Sequence, residues 1–72
     1  MPKIEIRIRD QSIRLGQFLK LSQAVSSGGE AKIRIRAGEV EVNGKVDTRR
    51  GAQLHQGDIV EIAGQRFVIA TA

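Results

Sequence analysis

The stretch Ser26-Ser27-Gly28-Gly29-Glu30-Ala31-Lys32-Ile33-Arg34-Ile35-Arg36-Ala37-Gly38-Glu39-Val40-Glu41-Val42-Asn43-Gly44 decides the fold class. It opens on a turn whose serines are suited to cap a helix. A helix is expected over residues 29–37. Gly38 follows where a left-handed C-cap is wanted. Ala31, Ile35 and Gly38 share one face of this helix, and Lys32 and Arg36 stand one turn apart beside it. Ile33 points away from that face: either it packs under the N-terminal strand or it is an exposed apolar contact. Glu39-Val40-Glu41-Val42 then alternates as a strand, and Asn43-Gly44 is the strongest short hairpin signal.

Toward the N-terminus, Leu15, Phe18, Leu19 and Ser22 recur at helical spacing, which predicts a helix over 15–24 with the three apolar residues facing the core. Asp10, Gln11 and Ser12 separate it from Ile4, Ile6 and Ile8, whose alternation with charged residues marks a half-buried strand. Toward the C-terminus, Lys45-Val46-Asp47 begins the hairpin's return and Thr48-Arg49-Arg50-Gly51 is a polar loop. Gln56-Gly57-Asp58 is a turn before Ile59-Val60-Glu61-Ile62, and Ala63-Gly64-Gln65 connects tightly to a last strand, Phe67-Val68-Ile69. The order is a strand, a two-helix unit, then short antiparallel strands, so the class is α+β. A single domain over 1–72 is expected, without repeats or linkers.

With 72 residues, there is no room for both a core and a deep substrate cleft. Cysteine is absent, which removes disulfides, thiolate metal sites and cysteine nucleophiles and fits a reducing cytoplasm. No apolar run is long enough to span a membrane, and Lys3, Glu5, Arg7 and Arg9 interrupt any signal-peptide core. The expectation is a cytoplasmic protein.

His55 is the only histidine, so it has no imidazole partner for a metal. Ser26-Ser27-Gly28-Gly29 lacks the Gly-Lys-Ser/Thr ending of a phosphate loop. Asp58 reads as a turn residue, and Asp47, Asp58 and Glu61 are too scattered for paired-carboxylate chemistry. No catalytic residue, metal, cofactor or small-molecule substrate is therefore expected. Phe18 and Phe67 are the only aromatics and both belong inside, so no exposed ring is available to stack on a single strand.

The net charge is +4, and it is unevenly spread. Residues 11–36 hold Arg14, Lys20, Lys32, Arg34 and Arg36 against Glu30, whereas residues 37–50 are balanced and 51–72 are slightly acidic. Such a concentration suits a polyanion, although a solvated surface explains charge alone equally well.

From Arg14 to Gly44 the pattern resembles the S4 RNA-binding domain, a helix–turn–helix followed by a hairpin. The residues that carry the resemblance are Arg14-Leu15, Leu19, Ser26, Ala31-Lys32, Ile35, Gly38, Val40 and Val42-Asn43-Gly44, with Gly57-Asp58-Ile59 matching the end of the module. It is closer still to the YbcJ-like family of small stand-alone S4-like proteins. There the similarity adds Gln17-Phe18-Leu19-Lys20-Leu21, Gly29-Glu30, Gly38-Glu39, Thr48-Arg49-Arg50 and Leu54, and covers nearly the whole chain. Three positions depart from the S4 pattern: Gly16 replaces a frequent acidic residue, Gly28 a frequent arginine, and Arg34 an apolar residue.

The resemblance implies an S4-like (αL) domain that binds structured RNA, double-helical or ribosomal, and catalyses nothing. Lys32, Arg36, Lys45, Arg49 and Arg50 are the expected RNA-binding residues, with Arg14, Lys20 and Arg34 as further candidates. They would meet where the start of the second helix approaches the loop after the hairpin. Arginine forks match phosphate oxygens in pairs, and gathered cations can neutralise several phosphates. The alternative is a protein-interaction module that docks an acidic partner through the same basic face.

Overall fold

The computed structural model describes residues 3–71. The chain runs β1 (Lys3–Ile8), β2 (Ser12–Arg14), α1 (Leu15–Leu21), α2 (Gly28–Arg36), β3 (Val40–Val42), β4 (Lys45–Val46), β5 (Gln53–His55), β6 (Ile59–Ile62) and β7 (Gln65–Thr71). Two helices beside a mixed sheet confirm the α+β class.

The main sheet has the order β1-β7-β6-β3-β4. Only β1 and β7 are parallel, in a register that sets Lys3 opposite Arg66 and Ile8 opposite Thr71. The other pairs are antiparallel, and two of them close through tight turns. Asn43 and Gly44 both adopt positive φ, 53° and 85°, as the two-residue turn between β3 and β4 demands. A separate two-stranded ribbon joins β2 to β5, placing Ile13 opposite Leu54.

The core lies between the helices and one sheet face. Leu15, Phe18 and Leu19 of α1 and Ala31 and Ile35 of α2 meet Val40, Val60, Ile62, Phe67 and Ile69 of the strands, all of them buried. The Phe18 and Phe67 rings meet edge to face, with centroids 6.1 Å apart, and so join helix to sheet. Ile33 is 69% exposed, which resolves its placement: it is a surface residue of α2 and does not pack under β1.

Both helices end in the same motif. At α2, Gly38 (φ 78°) is left-handed; its N–H donates to Ile35 and that of Glu39 to Arg34. At α1, Gln23 (φ 62°) takes the left-handed position, donating to Lys20 while Ala24 donates to Leu19. The helix expected to reach residue 24 therefore stops at Leu21. The start of α2 is fixed by Ser27, whose hydroxyl accepts from Glu30 N–H, while the Glu30 carboxylate accepts from the N–H and hydroxyl of Ser26 at 2.8 Å each.

Candidate nucleic-acid interface

Three backbone contacts assemble the principal basic cleft. Leu15 N–H donates to Ala52 at 2.8 Å and Gly16 N–H to Arg50 at 3.0 Å, so the loop after the hairpin is sewn onto the first turn of α1. The β2–β5 ribbon continues the seam by pairing Arg14 with Gln53. As a result Arg14, Lys20 and Arg50, remote in sequence, line one cleft of about 460 Å³ with Gly16, Gly28 and Gly51. Among the described residues no carboxylate lines it.

The two glycine departures from the S4 pattern, Gly16 and Gly28, both lie in this cleft. Gly16 is there for space: a Cβ at that position would stand 2.7 Å from Arg50 Cγ. Gly28 begins α2, so the positive end of that helix borders the cleft.

The remaining cations fall into two groups. Lys45 and Arg49 line a smaller hollow of about 340 Å³ beside Asp47. Arg49 is bonded to that carboxylate through Nε (3.2 Å) and Nη2 (3.1 Å), and its backbone N–H donates to it as well. These bonds, led by the guanidinium, hold Asp47 below the usual carboxylate range and push Arg49 upward. Lys32 and Arg36 are exposed on α2, outside both concavities.

Arg34 is differently placed. Its Nε donates to Glu30 at 3.1 Å and its Nη1 to Glu39 at 3.2 Å, so one guanidinium clamps both ends of α2. The i,i+4 step from Glu30 leads to Arg34 and passes over Lys32. The Glu30 carboxylate is held below its ordinary value by the Ser26 backbone bond first, then the Ser26 hydroxyl and Arg34.

The sequence reading ranks Arg14 and Lys20 below Lys32 and Arg36, but it is the former that join Arg50. Gln17, not expected as a site residue, also lines the cleft. Its place one turn before Lys20 and Leu21 on α1 is the signal that locates it. His55 is exposed, and Asp58 acts as a turn residue, accepting from His55 N–H at 2.7 Å and from the Asn43 amide at 3.1 Å. Among the described residues no three histidine, aspartate or glutamate side chains gather, and no helix is long and apolar enough to cross a membrane.

A two-helix unit against a short hairpin, with cations where the helices begin, defines an S4-type module. The chain belongs to the S4 domain family, whose model matches residues 6–70. It is 51% identical over 59 residues to RlbA of Bacillus subtilis, named a probable ribosome maturation protein, covering 82% of this chain and 83% of that one. It is 40% identical over 52 residues to YbcJ of Escherichia coli, covering 72% of this chain and 74% of YbcJ. The solution structure of YbcJ, described as revealing an αL motif involved in RNA binding, superposes with a TM-score of 0.73 at 30% identity, over 97% of this chain and 90% of that one. The 30S ribosomal protein S4e of Thermoplasma acidophilum follows with a TM-score of 0.61 at 29% identity, over 81% of this chain and 31% of S4e.

Proposed function

We propose that the protein is a non-catalytic RNA-binding protein that grips structured RNA, double-helical or ribosomal, by phosphate charge and backbone shape. The observation that carries this reading is the cleft of Arg14, Lys20 and Arg50, which among the described residues gathers three cations and no carboxylate and is framed by glycine backbone. Exposed ion pairs are worth only about 0–1 kcal/mol, so fold stability gives little reason to gather such charge unpaired. Phosphates give one, since each neutralised phosphate releases counterions.

Lys32, Arg36, Lys45 and Arg49 extend the contact beyond the cleft, and Arg34 adds its charge from within its clamp. The lack of an exposed aromatic ring favours a folded backbone over stacked single-stranded bases at the cleft itself. The ribosome-related names of RlbA and S4e support ribosomal RNA as the partner. The reading extends to a cytoplasmic setting, supported by a cysteine-free chain.

The test is titration of the protein with a folded RNA hairpin at several salt concentrations. Affinity should fall steeply with salt, by about 0.7–0.9 log units per log unit of salt for each phosphate engaged. Salt-independent binding, or preference for an acidic protein over RNA, would overturn it.

A further inference from the structure

We propose that a second groove, between β1 and the far end of α1, extends the interface and takes an unpaired strand adjoining the bound RNA helix. The proposal rests on the RNA-binding reading above. The groove is the larger concavity, about 700 Å³, and its cations are Arg7, Arg9 and Lys20 against one carboxylate, Asp10. Lys20 and Gln17 line this groove and the principal cleft alike, so the two concavities adjoin across α1. A strand leaving the cleft stays on positive ground as it passes Lys20 toward Arg9 and Arg7.

The groove differs from the cleft in having an apolar floor. Leu21 is 51% exposed and lines it with the partly buried Ile13. A duplex hides its base faces and has no use for such a floor, whereas an unpaired nucleotide presents a flat apolar face beside its phosphate. Arginine guanidinium planes can stack on bases where aromatic rings are lacking. Arg7 is loosely held: its Nε stands 3.8 Å from Glu5, with both side chains mostly exposed, a pairing easily exchanged for a phosphate. Continuity with the cleft and the net positive lining favour RNA over an apolar peptide.

The experiment uses the full chain with two labelled RNAs: a blunt hairpin, and the same hairpin with a short single-stranded uridine tail, made in both polarities. The parent should bind one tailed form at least about fivefold more tightly, the gain expected of one held base. Arg7→Ala with Arg9→Ala should abolish that gain, lower the salt slope on the tailed RNA by about 1–2 units and leave the blunt hairpin unaffected. Both side chains are exposed, so thermal melting should match the parent. Arg7→Lys with Arg9→Lys should restore the slope.

Equal binding of blunt and tailed RNA by the parent, or a full tail preference in the alanine variant, overturns the proposal. So does a glutamate-rich peptide whose binding is lost in that variant while RNA binding is intact, since the groove is then a protein dock. Arg14→Ala with Arg50→Ala reports separately on the principal cleft through the blunt hairpin. If that variant binds the blunt hairpin like the parent, the cleft reading fails while tail preference still decides the groove. Failure of the parent to bind any of these RNAs overturns both.

Discussion

The side chain of Arg50 crosses directly over Gly16: a Cβ added there would lie 2.7 Å from Arg50 Cγ, while Gly16 N–H donates to the Arg50 carbonyl at 3.0 Å. The glycine is a gap through which an arginine reaches the cleft. Gly16→Ala should therefore act on binding through Arg50. Alanine gains up to about 1 kcal/mol of helix propensity, which offsets strain in a flexible stem, so melting should change little. Affinity for an RNA hairpin should fall by about as much as in Arg50→Ala, and the double variant should be no worse than either alone. That non-additivity, read from a double-mutant cycle, is the check; full additivity would separate the two residues.

Emptying the cleft should cost binding without costing the fold. Arg14, Lys20 and Arg50 are all exposed, and Arg14 caps α1 without any side-chain bond to it. Changing all three to alanine should reduce the salt slope of hairpin binding by about 2–3 units, with melting close to the parent. Lys32→Ala with Arg36→Ala should lower it by about 1–2 units if the α2 flank also meets phosphate. Lys3→Ala, at the far end of β1, serves as the control and should do nothing.

The start of α2 should be sensitive to acid. Glu30 is shifted below its ordinary 4.5 in the folded chain. The folded state therefore binds this proton less readily than the unfolded one. The stabilisation is complete above the unfolded value and is lost as pH falls through the depressed one. Asp47, lowered from 3.8 chiefly by Arg49, adds a second loss of the same sign as pH falls. Glu30→Gln should flatten melting temperature against pH below about 4.5 relative to the parent, and an unchanged profile would exclude Glu30 as its source. Ser27→Ala should cost about 1 kcal/mol at any pH, a drop of roughly 4–8 °C in Tm.

Gln23 holds a left-handed backbone conformation with a side chain attached. A Cβ there costs about 1–2 kcal/mol, of which glycine's greater unfolded-state freedom returns roughly 0.5–1. Gln23→Gly should thus raise Tm by a few degrees. Gly38→Ala, at φ 78°, should lower it. Thermal melts of the two variants give opposite signs if the paired helix stops are as described.

What the sequence discloses is what neighbouring residues decide together. Gly38, Asn43-Gly44 and the apolar spacing of Leu15, Phe18 and Leu19 each carry a local signal, and each stands where expected. Gln23 carries none, because glutamine rarely takes a left-handed turn, so α1 was expected to run longer than it does. The three-residue strands Ser12–Arg14 and Gln53–His55 are too short to show a period, and Ser12 reads as a breaker. The cleft was hidden for a related reason: Arg14 and Arg50 meet only through the seam from Gly16 and Leu15 to the 50–52 loop. The charge count marks residues 11–36 as basic, but not which of their cations converge.

The parallel pairing of β1 with β7 sets the order in which the molecule can form. Lys3 and Arg66 are almost a chain length apart, yet they are register partners. The helix pair and the β3–β4 hairpin close short loops, whereas β1 must close the longest one before it gains a single ladder bond. As an edge strand paired, among the described residues, with β7 alone, it depends on that single ladder to stay docked. An RNA strand lying along Arg7 and Arg9 would bind only the docked form, and so would act as a latch that completes the assembly.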